Sequence, residues 1–338
     1  MWCSGGLVIF LISAVLTPVW AVLTLEVDDL SGSYNYSITD GTNVVFESGA
    51  VAFYHERGWC VGGATLEATG VDAVMGNEPG LGYYDGLEIR WMCHNSVPIV
   101  TTFKVFDASI IFETRWPLGA KFSKTPDDPD SSLTNFPTLV SRLPQRLSWH
   151  GSFVQGIHDY SVGSKGGPVA FYDESDLYRI IVASPLLGSS FKSFTAGNNR
   201  DFQGREGYYS PGTSARIRSL PENYTQSVML YQTAPESGMV GGLLEWGRVM
   251  QKASGLESRL PDILLQKVGY QTDNGAYYCF CEEEDCSKTL LDVMDSLRGV
   301  GIGYLSFQGA GASKGRGQAA PWCIETWGVD GGLGHKVR

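Results

Sequence analysis

A carboxylate, a carboxamide and paired tyrosines stand together in Gly269-Tyr270-Gln271-Thr272-Asp273-Asn274-Gly275-Ala276-Tyr277-Tyr278. An ionised Asp273 accepts hydrogen bonds, Asn274 both donates and accepts them, and a ring such as that of Tyr277 or Tyr278 offers a flat apolar face. Those capacities suit sugar hydroxyls and the face of a pyranose. The same residues also spell an Asp-Asn-Gly turn, which needs no ligand. The apolar run Leu264-Leu265-Gln266-Lys267-Val268-Gly269-Tyr270 precedes them. If that run is a strand, Asp273 and Asn274 fall where a strand ends and a loop begins, the functional face of a (β/α) barrel.

Other groups carry weaker chemistry. The acidic run Glu282-Glu283-Glu284-Asp285 lacks the alternating ligand spacing of a calcium loop and reads as a solvated turn leading into a helix. Cys279, Cys281 and Cys286 have neither CxxC spacing nor a nearby histidine, so no metal is expected. His150 and His158, near Asp159, form at most a surface pair. There is no glycine-rich phosphate loop, His-Glu-x-x-His or Gly-x-Ser-x-Gly, and no cofactor is expected.

Of the seven cysteines, Cys60 and Cys93 lie in strand-like stretches of one region and are the pair expected to form a disulfide, free buried thiols being the alternative. Asn35-Tyr36-Ser37 and Asn223-Tyr224-Thr225 are acceptor triplets for N-glycosylation. The apolar run Leu7 to Leu16, followed by Val19-Trp20-Ala21, reads as a signal peptide over residues 1–21. It lacks the usual positive start, which leaves an uncleaved anchor open. Secretion or a secretory-pathway lumen is the expected location, with no membrane contact beyond that segment.

The elements that must position these groups follow from pattern. The chain has 338 residues, 43% hydrophobic, with 42 glycines, 16 tyrosines and 9 tryptophans, enough to bury a large core and favouring turn-rich β-structure. Short apolar or alternating runs at Asn43–Phe46, Gly86–Trp91, Thr101–Phe106 and Ser109–Thr114 predict antiparallel strands, with turns at Asp85-Gly86 and Asp107-Ala108 and a stop at Trp116-Pro117. Pro126, Pro129 and Pro137, with Asp127, Asp128 and Asp130 among them, predict a surface loop inside the sandwich, or a linker between its two sheets, over 123–137. Strands resume at Val169–Tyr172, Tyr178–Ala183 and Gln226–Tyr231, all placed in one β-sandwich spanning 22–235. Between Gly242 and a stop at Gly255, Leu243, Leu244, Trp246, Val249 and Met250 then fall at helical spacing, giving a bridging helix and linker over 236–260. A strand, a helix bearing Leu290, Val293, Met294 and Leu297, and the strand Gly301–Phe307 give a β-α-β unit over 261–308. The glycine-rich remainder, 309–338, predicts a disordered tail.

The run Val268 to Tyr278 resembles a Gly-Tyr-Trp-Thr-Asp-Asn-Gly-Ala-Tyr-Tyr signature of little-characterised relatives of α-galactosidase and raffinose-synthase type glycoside hydrolases. Gly82-Tyr83-Tyr84-Asp85-Gly86-Leu87, Gly166-Gly167-Pro168 and Leu244-Glu245-Trp246-Gly247 fit the same group. The resemblance implies a β-supersandwich before a catalytic barrel, with Asp273, Asn274 and Tyr277 as substrate contacts. Gln271 replaces the group's tryptophan, and no aspartate and tryptophan pair follows Phe307. The catalytic carboxylate pair of such enzymes would come from later barrel strands, so no catalytic residue is assigned.

The resulting expectation is a mainly β protein whose large antiparallel β-supersandwich is followed by the first β-α-β unit of an incomplete (β/α) barrel: a truncated or mis-spliced glycoside-hydrolase relative without hydrolase activity. A second possibility is a secreted carbohydrate-binding or cell-surface module in which sandwich aromatics such as Trp59, Trp91 or Trp149 anchor the ligand, core packing being their alternative role. The expected partner is a carbohydrate or glycan. A formal net charge of -11 opposes nucleic acid and anionic membranes.

Overall fold

The computed structural model describes residues 23–28, 32–41, 43–55, 58–122, 132–148, 168–173, 176–186, 194–197, 208–215, 217–234, 237–258, 269–271, 286–302, 304–306 and 327–328. They fall into two compact units, Met1–Ser258 and Arg259–Arg338.

The first unit is built from strands β1 (Thr24–Asp28), β2 (Asn35–Thr39), β3 (Val44–Ser48), β4 (Ala52–His55), β5 (Gly58–Val61), β6 (Leu66–Glu78), β7 (Gly82–Cys93), β8 (Val97–Val105) and β9 (Ser109–Trp116). They are followed by β10 (Ala120–Lys121), β11 (Thr134–Asn135), β12 (Leu139–Ser141), β13 (Gln145–Ser148), β14 (Val169–Asp173) and β15 (Asp176–Pro185). The last are β16 (Phe194–Gly197), β17 (Tyr208–Thr213), β18 (Ser219–Leu220) and β19 (Tyr224–Gln232), and helix α1 (Gly238–Ala253) closes the unit. An eight-stranded antiparallel sheet runs β13-β14-β15-β19-β9-β8-β7-β6, and a six-stranded one runs β1-β2-β3-β12-β17-β16. The fold is mainly β, as its alternating runs require.

Alternation decides what each face does. On the eight-stranded sheet Leu87, Ile89, Trp91, Phe103, Ile110, Phe112, Val228 and Leu230 point inward to a core shared with Ile38, Val45, Phe46 and Leu139 of the other sheet. Edge-to-face aromatic pairs cross the gap, Phe46 to Phe171 at 5.1 Å and Tyr36 to Phe103 at 5.3 Å between centroids. Burying each such side chain contributes about 1.5–3 kcal/mol. The Tyr36 hydroxyl is used twice, donating to the Thr138 carbonyl at 3.0 Å and accepting from the Thr138 N–H at 2.7 Å. Burial pushes its pKa up, opposed by the bond to Thr138.

The outer face of the same sheet divides in two. Ile180, Val182, Met229, Ile111 and Phe106 lie under α1, which contributes Met239, Leu243, Trp246, Val249 and Met250. Trp246 Nε1 donates to Ser184 Oγ at 2.9 Å, and Glu245 accepts the Ala234 N–H at 2.9 Å and a bond from the Ser237 hydroxyl, tying the helix to the segment that enters it. The helix begins at Gly238 rather than Gly242. Gly242 is required there because a Cβ would come within 2.7 Å of Thr233 Cγ2. The half of the face not under α1 is polar and ion-paired.

Two expectations are corrected. Asp85-Gly86 is no turn: both residues sit inside β7, and Gly86 is present because a Cβ would lie 2.1 Å from the Phe103 carbonyl oxygen. The actual reversal is at Pro79-Gly80-Leu81, with Gly80 at φ +77. Residues 132–137 are not surface loop either, since β11 is buried and Leu133 and Phe136 enter the core, which their apolarity explains better than the neighbouring prolines. The remainder of that expected loop, 123–131, lies outside the described residues.

The second unit contains β20 (Gly269–Gln271), α2 (Cys286–Gly299), β21 (Tyr304–Ser306) and β22 (Trp327–Gly328). β20 and β21 are parallel, the β-α-β order expected of a crossover, but β22 joins β21 antiparallel. A strand therefore lies within 309–338, and β21's second neighbour is not the parallel strand that a barrel would supply.

Candidate functional site

The expected sugar contacts follow the first strand of the parallel pair in sequence. Gly269, Tyr270 and Gln271 oppose Tyr304, Leu305 and Ser306 in register, so both strands finish at one sheet edge. Asp273 and Asn274 follow Gln271 by two and three positions in the sequence. Asp273, Asn274 and Tyr277 themselves lie outside the described residues, as do Glu282 to Asp285 and Cys279 and Cys281. On α2, Arg298 pairs with Asp295 at 3.3 Å, an exposed contact one turn apart.

The first unit places the remaining candidates. Cys60 and Cys93 are joined in a disulfide with Cα atoms 5.6 Å apart, linking β5 to β7 as expected. His94 follows Cys93 and brings a ring nitrogen within 4.8 Å of both sulfurs. With the sulfurs bonded to one another neither is a thiolate, and the trio does not form a metal centre in this state. Asn35 and Asn223 are both exposed, Asn223 in a turn at φ 57, and Thr225 Oγ1 donates to the Asn223 carbonyl at 3.3 Å.

Of the tryptophans that could anchor a ligand, Trp91 is buried and donates through Nε1 to Thr101 Oγ1 at 2.8 Å, a core role. Trp59 is half-buried against the ring of Tyr54 at 5.4 Å. Trp149 lies outside the described residues.

An ionic network that no spacing revealed occupies the polar half of the outer face. Lys104 Nζ lies 2.6 Å from Glu78 Oε1 and 3.0 Å from Glu113 Oε2, and 5.4 Å from the ring centroid of Tyr84. Burial works against the ammonium, but the Glu78 hydrogen bond and the Glu113 charge outweigh it, so its pKa is raised. Arg115 reaches Glu88 at 3.9 Å, and Arg90 pairs with Asp72 and, at 3.4 Å, with Glu88. The alternation of Phe103, Lys104 and Val105 signals that Lys104 faces away from the core. Its partners could not be read, because Glu78 and Glu113 are 26 and 9 positions distant and meet it only through register.

A second surface missed in the sequence is the end of the β6–β7 hairpin. Asn77 opposes Tyr83 and Met75 opposes Asp85, and Tyr83 and Met75 are 84% and 81% exposed. The nearest signal was Gly82-Tyr83-Tyr84-Asp85-Gly86-Leu87, where alternation sends Tyr83 and Tyr84 to opposite faces.

No family model matches the chain, and no curated protein matches it in sequence. Solved structures do. A variant of a glycoside hydrolase family 97 enzyme from Pseudoalteromonas sp. strain K8 superposes with a TM-score of 0.51 at 10% identity, over 85% of this chain and 46% of that one. A second variant of that enzyme, in complex with panose, gives a TM-score of 0.50 at 10% identity over the same shares. A beta-arabinopyranosidase gives a TM-score of 0.39 at 10% identity, over 62% of this chain and 38% of that one. The chain spans under half the length of the structures it matches, and shares with the family 97 enzyme a glycoside-hydrolase-like fold.

Proposed function

We propose that this chain is a secreted, glycoside-hydrolase-like protein that binds neutral glycans, with Asp273 and Asn274 accepting and donating hydrogen bonds to sugar hydroxyls and Tyr277 stacking on a ring. The fold shared with a family 97 glycoside hydrolase over 85% of the chain carries the reading. The parallel register of β20 and β21 supports it, because Asp273 stands two positions after the end of β20 in the sequence. The disulfide between Cys60 and Cys93 supports the secretory route, since such bonds persist in oxidising compartments. A glycosidase uses two carboxylates across the scissile bond. No such pair is assigned here, and the reading is binding without bond cleavage.

Panose tests this. The full chain is expected to retain panose in calorimetric titration and to release no glucose from it, and Asp273→Ala is expected to weaken retention. Glucose release, or a complete lack of binding to panose and to an array of neutral oligosaccharides, would overturn the proposal.

A further inference from the structure

The β6–β7 hairpin presents a group of side chains that nothing in the sandwich uses. The inner row of β7 runs Trp91, Ile89, Leu87, Asp85, Tyr83. Its first three members are buried in the core, and the last two are exposed. Across the ladder, Val71, Ala73, Met75 and Asn77 of the edge strand β6 are all exposed, the first two even though they oppose the buried Ile89 and Leu87. The sheet therefore runs past the end of its core and leaves a bare inner-facing surface.

That surface is held rigid from behind. On the opposite face Glu78 is bonded to Lys104 at 2.6 Å, and Tyr84 packs on Phe106 at 5.4 Å. At the tip, Leu81 donates to the Glu78 carbonyl at 3.0 Å, and Gly80 lies so close to the end of α1 that a Cβ would be 2.2 Å from the Lys252 carbonyl oxygen. In front, by contrast, the side chains of Asn77, Tyr83 and Asp85 have no hydrogen-bond partner among the described residues.

We infer that this end of the hairpin is a glycan-binding platform carried by the first unit, in which Tyr83 stacks on a pyranose ring and Asn77 and Asp85 bond its hydroxyls. The inference rests on the glycan-binding reading above. Opposed side chains stand about 5 Å apart and next-but-one neighbours about 7 Å apart, so the four groups cover roughly one monosaccharide. Tyr83 and Met75 supply the apolar floor for the C–H face of the ring. Asn77 supplies donors and an acceptor, and Asp85 supplies two acceptor oxygens. The Asp85 charge, within a chain of net charge -11, selects a neutral sugar over an anionic one. Because the hairpin is already fixed, binding orders little more than side chains.

The test uses the full chain with panose in saturation-transfer NMR and with an immobilised array of neutral oligosaccharides. Tyr83→Ala is expected to reduce retention on the array roughly tenfold, the scale of losing a central aromatic anchor. Tyr83→Trp should preserve it, and Asp85→Asn should reduce it less. Since Tyr83 is 84% exposed, neither Tyr83 variant should shift the melting temperature. If Tyr83→Ala leaves retention unchanged while Asp273→Ala abolishes it, the platform is overturned and the reading around Asp273 stands. If wild type retains no neutral glycan at all, both fail. A wild-type dimer in sedimentation that Tyr83→Ala converts to monomer, without glycan binding, would make this face a protein contact and also overturn the inference.

Discussion

The two units hold the groups proposed to bind sugar in opposite ways. In the first, strands of 8 to 13 residues such as β6, β7, β8 and β9 pair along their length, and an aromatic core is shared between two sheets. In the second, β20, β21 and β22 are 3, 3 and 2 residues long. A three-stranded sheet of that size has few ladder bonds with which to resist opening. The contacts expected at Asp273 and Asn274 thus follow a short strand, while the hairpin bearing Tyr83 belongs to the large sheet. A glycan-binding surface need not lie beside the short strands simply because the residues after β20 carry the sequence pattern suited to sugar.

Hydrogen exchange separates the units, and variants in the sandwich sharpen the contrast. Amides of β8, β9 and β19 should exchange only through global opening of the first unit, while those of β20 and β21 exchange at lower free energy. Equal protection in the two sets would break the comparison. Phe112→Ala should have the largest effect. Phe112 is 1% exposed and packs against Phe103 and Phe136 at 5.6 Å each, so its removal should destabilise the sandwich by about 4 kcal/mol and accelerate exchange throughout β8, β9 and β19. Replacing both Cys60 and Cys93 by serine should follow at about 3.5 kcal/mol, because the bond closes a loop with a sequence separation of 33. Denaturant melts with and without reductant measure that difference directly. Tyr36→Phe should cost about 2 kcal/mol, since it leaves the buried N–H and C=O of Thr138 unpaired. A change within error would mean that water replaces the hydroxyl.

What could be read from the sequence follows the same division. Runs with strict alternation, such as Ser109-Ile110-Ile111-Phe112-Glu113-Thr114, became strands ending where Trp116-Pro117 said they would. The pairing of Cys60 with Cys93 was legible because both lie in such runs. Glycine misled in both directions. Gly86 looked like a turn but marks a close approach of two strands, and Gly242 looked like a helix start but lies inside the helix, against Thr233. In each case the cause is a neighbour brought in by tertiary structure, which no local window contains. The short strands β11, β12 and β17 were also missed, the last because Pro211 and Gly212 interrupt its pattern. Gly212 is tolerated, indeed required, because a Cβ there would strike Thr134 Oγ1. Tyr83 was quoted as part of a family-like string, but its exposure depends on how far the opposite sheet extends, which alternation alone cannot show.

The smallest predicted effect is in alkaline solution and concerns the first unit. Lys104 has a folded pKa above its ordinary 10.5, because Glu78 and Glu113 outweigh its burial, so the folded state holds that proton more tightly than the unfolded one. Its contribution is present in full below about pH 10.5 and is lost as the pH rises through the folded value. Tyr231 acts in the same direction: burial first, and the Glu245 charge second, raise its pKa above 10.0, so the unfolded state releases its proton before the folded one does. Stability of the sandwich should therefore fall above about pH 10, by about 1 kcal/mol or less per group. Lys104→Met should flatten part of that fall and Tyr231→Phe the rest, as measured by denaturant melts from pH 8 to 12. If the slope survives both substitutions, the titrating groups lie elsewhere, and the polar half of the outer face is bystander charge rather than the rear support of the Tyr83 hairpin.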